Sequence, residues 1–271
     1  MEIFQYEFMQ RAFLAGLAVA LLCPLIGMFV VIRRQSLLGD GLGHIAFAGV
    51  TGAAFLGIYP PLGAIVLTGG AALGIELARR RHQQYSDMGL ALFFYGGLAL
   101  AVIFSSLARI PYTGIMSFLF GSILTVTWSN IAWIYAITAC VIAALLYYFQ
   151  PLLISGFSED IARVSGISVQ RLNLLFAMLV AGVVVVGMTI VGVLLISALM
   201  IVPVAAAHLW QKGFRTTLYI ATGYSFSMVI LGLVLSFYWD LAPGGTIVLL
   251  GLLAYLATAI GKKMQKILFA H

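Results

Sequence analysis

Charged residues are scarce in this chain: Asp, Glu, Lys and Arg make up 8% of its 271 residues, whereas soluble domains contain about 25%. Hydrophobic residues make up 63%, and the mean hydropathy is +1.13. No soluble core could bury so much apolar surface, which excludes a soluble fold. The apolar runs are long and do not alternate with polar residues, as the strands of a membrane β-barrel would. We therefore predict an all-α, polytopic bundle of transmembrane helices.

Several catalytic motifs are also missing. The sequence has no phosphate-binding Gly-Lys loop, no His-Glu-x-x-His and no Gly-x-Ser-x-Gly, so we do not expect an enzyme. If transport is driven by ATP, another chain must hydrolyse it. The two cysteines, Cys23 and Cys140, lie in apolar runs without metal-ligand spacing, and a disulfide between them has no support. We expect no permanently bound cofactor.

Nine apolar runs are long enough, or nearly so, to cross a membrane as helices, which takes about 20 residues each. Eight spans are also possible, because the stretch 172–209 is apolar almost throughout. Glu2 and Glu7 precede the first run and are atypical of a signal peptide, so we expect that helix to be retained. We predict one transmembrane domain over 1–271, with spans near 12–32, 41–58, 62–78, 88–108, 129–149, 172–188, 191–209, 217–237 and 246–261.

The positive charges sort to one side of these spans. Of the 14 Lys and Arg residues, all but Arg11 and Arg109 fall on the same side. The positive-inside rule makes that side cytoplasmic, so we predict an outer N-terminus and an inner C-terminus. This placement also explains the net charge of +6 without a nucleic acid partner. The cytoplasmic cations are Arg33, Arg34, Arg79, Arg80, Arg81, Arg163, Arg171, Lys212, Arg215, Lys262, Lys263 and Lys266.

Two connections are longer than turns. Residues 109–128 lie outside or dip back into the membrane, and 117–124 is apolar enough to form a short interfacial or re-entrant helix. Residues 150–170 lie inside, and 158–166 reads as a short helix. Ser158 suits its N-cap, while Glu159 and Asp160 suit its positive first turn. Such a helix is a natural docking surface for a partner, although a solvated loop with one helical turn would have the same pattern.

Asp40 and His44 stand four residues apart at the start of the second span. In a helix both would project from one face, with Cβ atoms about 6 Å apart. Their oxygen and nitrogen ligands suit Zn²⁺, Mn²⁺ or Fe²⁺, whereas Cu(I) prefers sulfur. Ionisable groups inside a membrane are costly and usually functional, so the pair indicates a path for a divalent cation. Alternatively, Asp40 caps the helix and His44 forms a hydrogen bond within the bundle.

The remaining ionisable residues are weaker candidates. His208 ends the seventh span and is either interfacial or a further metal ligand. Asp240 lies at the outer mouth, where it caps the last helix, guards the entrance or contacts an extracellular partner. His82, in a basic loop, and His271, at the end of the chain, are not expected to bind metal.

Four segments, in order along the chain, resemble the permease subunits of bacterial zinc and manganese ABC importers. They are Arg33 to Asp40 followed by His44, Leu119 to Leu124, Val191 to Pro203, and Asp240 to Gly244. Together they extend over nearly the whole chain, and the sequence looks most similar to the zinc importers of Gram-positive bacteria. His208 departs from this pattern, since a small or cationic residue is expected there.

The resemblance implies a multi-pass permease in a bacterial plasma membrane. It implies a homodimer that receives Zn²⁺ or Mn²⁺ from an extracellular metal-binding protein and is driven by cytoplasmic ABC ATPases. Residues 150–170 would contact the ATPase, with Ser158, Glu159, Asp160 and Arg163 as contact residues. The residues alone leave two alternatives: a secondary carrier of metal or small solutes, and a membrane anchor subunit without a pathway.

The charge distribution generates a test of topology. A cysteine replacing Arg80, in a chain without its native cysteines, should react with a membrane-impermeant thiol reagent only after the membrane is opened. A cysteine placed within 238–244 should react in intact cells. Labelling of the Arg80→Cys variant from outside would overturn the predicted orientation.

Overall fold

A computed structural model describes residues 2–81 and 86–268. Every regular element in these ranges is a helix, as the composition predicts. After a 3₁₀ helix at Glu2–Gln5, the α-helices are α1 Glu7–Ile32, α2 Leu38–Leu56, α3 Pro60–Arg81, α4 Ser86–Leu107, α5 Tyr112–Phe120, α6 Trp128–Tyr147, α7 Phe149–Phe157, α8 Glu159–Val164, α9 Val169–Gly187, α10 Ile196–His208, α11 Phe214–Trp239 and α12 Pro243–Leu268.

Helices occur at all nine predicted places, but the structure does not confirm nine spans. In the described ranges, seven helices are long and apolar enough to cross a membrane: α1, α3, α4, α6, α9, α11 and α12. The 19-residue α2 is long enough, but Asp40, His44 and its glycines lower its hydropathy. The 13-residue α10 extends about 20 Å, which is less than the hydrocarbon core of a bilayer.

Among the seven candidate spans, α1 and α9 are the most buried: their most apolar stretches are 72% and 67% buried, against 17% for α4. Helix α2 packs between α3 and α4, and α1 packs against α10, α11 and α6. The main core cluster contains residues from α1, α2, α9 and α10. The metal-competent helix α2 therefore lies inside the protein and is not presented to lipid along most of its surface.

The bundle has two distinct ends. At one end, which we call the basic end, Arg33, Arg79 and Arg163 lie close together through their contacts with Glu159 and Asn173. The opposite end carries interfacial aromatic contacts, such as the Trp128 indole donating to Glu7 at 2.6 Å and the Tyr59 hydroxyl donating to Asn130 at 2.6 Å. Three of the arginines predicted on one side of the membrane therefore do lie at one end of the bundle.

A buried, non-helical loop, 188–195, joins α9 to α10. Met188, Ile190, Val191 and Val193 are at most 3% exposed. The Val193 and Leu194 amides donate to the carbonyls of Phe118 and Leu119 in the last turn of α5. Irregular backbone is tolerated at membrane depth only where protein or water satisfies it, and α5 supplies that partner. The short helix in this connection is α5, at Tyr112–Phe120 and thus earlier in the chain than the predicted 117–124, and it supports this loop.

The start of α12 meets the same junction through Gly244. A Cβ atom added there would overlap the carbonyl oxygens of Val191 and Phe120. The neighbouring Gly245 has no atom within 4 Å of such a Cβ. Close approach of three backbone segments therefore depends on the first glycine and not on the second.

This contrast predicts the effect of two matched variants. Gly244→Ala should destabilise the chain by about 1–3 kcal/mol, the usual cost of overpacking. Gly245→Ala should be neutral, because its side chain enters open space. Thermal unfolding of the purified full-length protein in detergent measures both. Equal unfolding temperatures for the two variants would show that the junction is not tightly packed.

Candidate metal path and coupling segment

Glycines seat the first turns of α2 against its neighbours. A Cβ atom at Gly39 would collide with Ser197 Oγ and Met200 Cε of α10, and one at Gly43 would lie 3.3 Å from the Val193 oxygen. On another face, a Cβ at Gly41 would lie 3.2 Å from Leu90 of α4. The glycines between and beside the two ionisable residues thus let α10 and α4 approach closely.

Asp40 and His44 lie one turn apart in this enclosed part of α2. The Asp40 residue is half-buried, and His44 is 7% exposed. The His44 ring packs edge-to-face on Phe94 of α4 at a centroid distance of 4.5 Å. Its Nδ1 atom is buried and, within the described residues, has no hydrogen-bond partner. In the alternative interpretation, His44 forms a hydrogen bond within the bundle. Within the described ranges, the structure offers no such partner for its Nδ1 atom.

The contacts of Met200 place these residues below the end of α1. Gly27 of α1 and Gly39 of α2 both contact Met200. Arg33 directly follows the last residue of α1 and lies six positions after Gly27. Six positions correspond to about 9 Å of helix. The start of α2 is therefore recessed from the basic end of the bundle.

A polar cavity of about 620 Å³ occupies the recess. Leu37 and Leu38 line it where α2 begins. Its ionisable lining residues are Arg33, Arg34, Arg79, Arg163, Glu76, Glu159 and Asp160. The cavity extends from the basic end to Leu38, which is the first residue of α2 and lies two residues before Asp40.

The structure does not bring His208 to this pair. His208 is exposed and is the last residue of α10, eight residues beyond Met200. That spacing places it about 12 Å further along the helix. In the described ranges, no group of three or more His, Cys, Asp and Glu side chains could hold a metal ion. His82 and His271 lie outside the described residues.

Asp240 lies at the opposite end of the bundle. It follows α11 with φ of 52°, and its amide donates to the Ser236 carbonyl. Asp240 also lines a cavity of about 480 Å³ together with Phe120 of α5. The residue therefore ends α11, and not the last helix, while it borders a space at the end away from Arg33.

The short helix predicted within 158–166 is α8. The Ser158 side chain accepts a hydrogen bond from the Ile161 amide at 3.3 Å, so Ser158 is the N-cap. Glu159 turns toward the bundle: its Oε1 accepts from Arg79 at 3.0 Å and from Asn173 at 3.2 Å, and its Oε2 accepts from Arg163 at 3.4 Å. The Asp160 side chain, by contrast, is 93% exposed.

Sequence reasoning missed the buried polar contacts behind α8. The Arg33 guanidinium donates to Asn173 Oδ1 at 2.7 Å and to Ser155 Oγ at 2.6 Å, and it lies 4.5 Å from the Phe176 ring centroid. Burial, aided by repulsion from Arg79, lowers the pKa of Arg33 to about 10, so it remains charged at neutral pH. An Asn within an apolar span was the available signal.

These features describe a polytopic helical membrane protein with an enclosed Asp–His pair, a polar cavity that reaches the start of α2 and a capped helix at the basic end. The sequence model of the ABC 3 transport family matches residues 5–262. The chain belongs to that family. It is a membrane permease of an ABC metal transport system in the bacterial plasma membrane. This family membership does not favour the two alternatives, a secondary carrier and a membrane anchor subunit.

Three relatives have names that specify transport of metal. A probable metal transport system membrane protein of Treponema pallidum (strain Nichols) is 35% identical over 89% of this chain and 90% of its own. The manganese transport system membrane protein MntC of Listeria monocytogenes is 28% identical over 99% and 95%. The high-affinity zinc uptake system membrane protein ZnuB of Haemophilus influenzae is 29% identical over 90% and 94%.

A solved structure shares the fold. PsaBC from Streptococcus pneumoniae, determined in complex with Fab, includes a chain that superposes with a TM-score of 0.85 and 27% sequence identity. The match covers 94% of this chain and 92% of that one. The whole helical arrangement, and not one part of it, is therefore shared.

Proposed function

We propose that this permease is the transmembrane subunit of an ATP-driven importer of divalent metal, working by alternating access, with Asp40 and His44 lining the path. The observation that carries the proposal is the enclosure of a carboxylate–imidazole pair on α2, close to a polar cavity that reaches the first residue of that helix: Asp40 is half-buried, and the buried Nδ1 of His44 has no partner in the described ranges. Buried polar groups normally have partners. A passing cation would supply the missing one.

Ligand number supports a homodimer. Zinc sites usually have four protein or water ligands, whereas each chain offers two at this place. No cluster of three or more candidate ligands occurs within residues 2–81 and 86–268. Two copies would provide two Asp40 and two His44, an O₂N₂ set. Phe94 covers the imidazole in the conformation described, so opening the site requires movement between α2 and α4.

The basic end is proposed to face the cytoplasm and the ATPase, following the positive-inside rule. The opposite end, with Asp240, would then face an extracellular metal-binding protein. His208, at the basic end, is left out of the path. This orientation gives the cargo a direction: from the outer cavity, past His44 and Asp40, into the cavity lined by Arg33 and Glu76.

We propose zinc as the first cargo and manganese as the second. Imidazole nitrogen suits zinc, and carboxylate oxygen is shared with manganese. The relatives include systems named for each metal. Uptake of radioactive zinc by the reconstituted complex, with manganese and iron as competitors, decides the order.

Replacing either member of the pair tests the path. Asp40→Ala and His44→Ala should each reduce metal uptake to the level of vesicles without transporter, because each removes one of two ligands per chain. His208→Ala should transport normally, since its side chain is exposed and distant from the pair. The measurement is metal uptake by the full complex in vesicles, with assembly checked by gel filtration.

Normal uptake by both Asp40→Ala and His44→Ala would contradict the proposed path. Loss of uptake in the His208→Ala variant, with assembly intact, would instead return that residue to the path. Neither result tests whether metal uptake by the wild type depends on ATP, which is measured separately.

The cytoplasmic docking surface is proposed to be α8 and the end of α7. Phe157, Ile161 and Val164 are 71%, 62% and 91% exposed, which is unusual for apolar side chains beyond the membrane-crossing helices. Asp160 adds an exposed charge beside them. Ser158, Glu159 and Arg163 complete the proposed contact, although Glu159 is partly occupied within the chain. An ATPase groove with an apolar floor and a basic rim would complement this surface.

Changing this surface should release the ATPase. Ile161→Asp and Asp160→Lys should lower the amount of ATPase that co-purifies with the permease, because one places a charge in an apolar contact and the other reverses a charge. Lys212→Glu, an exposed change in the loop between α10 and α11, is the control and should keep the ATPase bound. Normal co-purification of both α8 variants would refute this surface.

A further inference from the structure

Arg33 is fixed by partners on two other segments. Its two terminal nitrogens donate to Asn173 of α9 and to Ser155 of α7, and its plane lies on Phe176. Asn173 and Ser155 are 6% and 5% exposed. Because the planar guanidinium holds two acceptors in fixed directions, the residue following α1 cannot move without moving α7 and α9 or breaking two partly buried hydrogen bonds.

Asn173 connects this arginine to α8, the helix proposed to dock with the ATPase. Its amide oxygen accepts from Arg33 at 2.7 Å, and its amide nitrogen donates to Glu159 at 3.2 Å. Glu159 is the first residue of α8 and also accepts from Arg79 at the end of α3. One amide side chain thus links α8 to the turn between α1 and α2. We call Arg33, Asn173, Glu159, Arg79 and Ser155 the polar joint.

The turn beyond Arg33 is short and internally bonded. The Arg34 and Gln35 amides donate to the Val31 and Val30 carbonyls, and the Leu38 amide donates to the Gln35 carbonyl. Leu38 begins α2, two residues before Asp40. Displacement of Arg33 is therefore passed to the start of α2 and is not absorbed by a flexible connection.

We propose that Asn173 and Arg33 are positioning residues that couple the ATPase to the metal path: when the ATPase moves α8, the polar joint moves the start of α2 and with it Asp40. The inference rests on the proposed function. Buried, charge-assisted hydrogen bonds suit this task because they resist stretching and are costly to leave unpaired. Both residues line the polar cavity, but neither is proposed as a metal ligand or as an ATPase contact.

The test separates the two halves of the joint. Asn173→Asp keeps an acceptor for Arg33 but removes the donor to Glu159 and introduces repulsion between two carboxylates. In the full complex, the number of ATP molecules hydrolysed per metal ion imported, for the metal that the wild type transports, should rise at least about twofold. A purely structural defect would lower hydrolysis and uptake together and leave that ratio unchanged.

Exchange of amide and carboxylate should restore coupling. In Asn173→Asp combined with Glu159→Gln, the introduced amide can donate to the introduced carboxylate, so the bond between α8 and α9 returns with donor and acceptor reversed. The ratio should fall toward the wild-type value. A ratio that stays at the value of the single variant would overturn the inference.

An exposed arginine on α9 provides a control for conservative change. Arg33→Lys loses one of the two directed bonds and should raise the ratio, whereas Arg171→Lys, at an exposed residue outside the cavity, should not. An unchanged ratio in both Arg33→Lys and Asn173→Asp, with ATP-driven uptake by the wild type, refutes the joint alone. Absence of ATP-driven uptake by the wild type would refute the proposed function instead.

Discussion

Close approach of helix backbones around α2 is the constraint on which the rest of this structure depends. Gly49 of α2 and Gly63 of α3 face each other so closely that a Cβ on either would overlap the other's carbonyl oxygen, and Gly97 of α4 lies against the backbone at His44. In a bilayer, lipid tails are as apolar as leucine, so helices associate through such tight packing. This packing surrounds two ionisable residues with protein.

The shortness of α10 follows from the same packing. A full-length helix would extend through the space occupied by the loop 188–195, where Gly192 of the loop lies against Leu119 and Gly121 at the end of α5. Helix ends leave unpaired carbonyls, and the loop amides of Val193 and Leu194 use two of them. The loop between α9 and α10 and the short helix α5 thus satisfy each other's backbone hydrogen-bonding groups. The interruption lies beside Gly43, next to His44, where a metal path is proposed.

Two neighbouring acidic residues at the basic end differ in their surroundings. The Asp160 side chain is exposed and lies 3.7 Å from Arg163 of its own helix, while Glu159, its neighbour, accepts from residues of α3 and α9. Adjacent acidic residues on one short helix therefore have different main tasks in the proposed mechanism: Asp160 contacts the ATPase, and Glu159 chiefly holds the helix to the bundle. A buried arginine next to them is tolerated because its partners are already in place, which limits the desolvation cost.

The sequence by itself determined the class of fold, the places of the nine helices predicted as spans, the side of the bundle where Arg33, Arg79 and Arg163 meet, and α8 with its Ser158 cap, because composition, hydropathy and capping act locally along the chain. Spacing also placed Asp40 and His44 on one helical face. Only the tertiary structure decided the depth of Asp40, the contact of His44 with Phe94, and the inward turn of Glu159 toward Asn173. Those features depend on residues far apart in the chain, and a pattern read along one helix carries no information about the side chains that meet it from another.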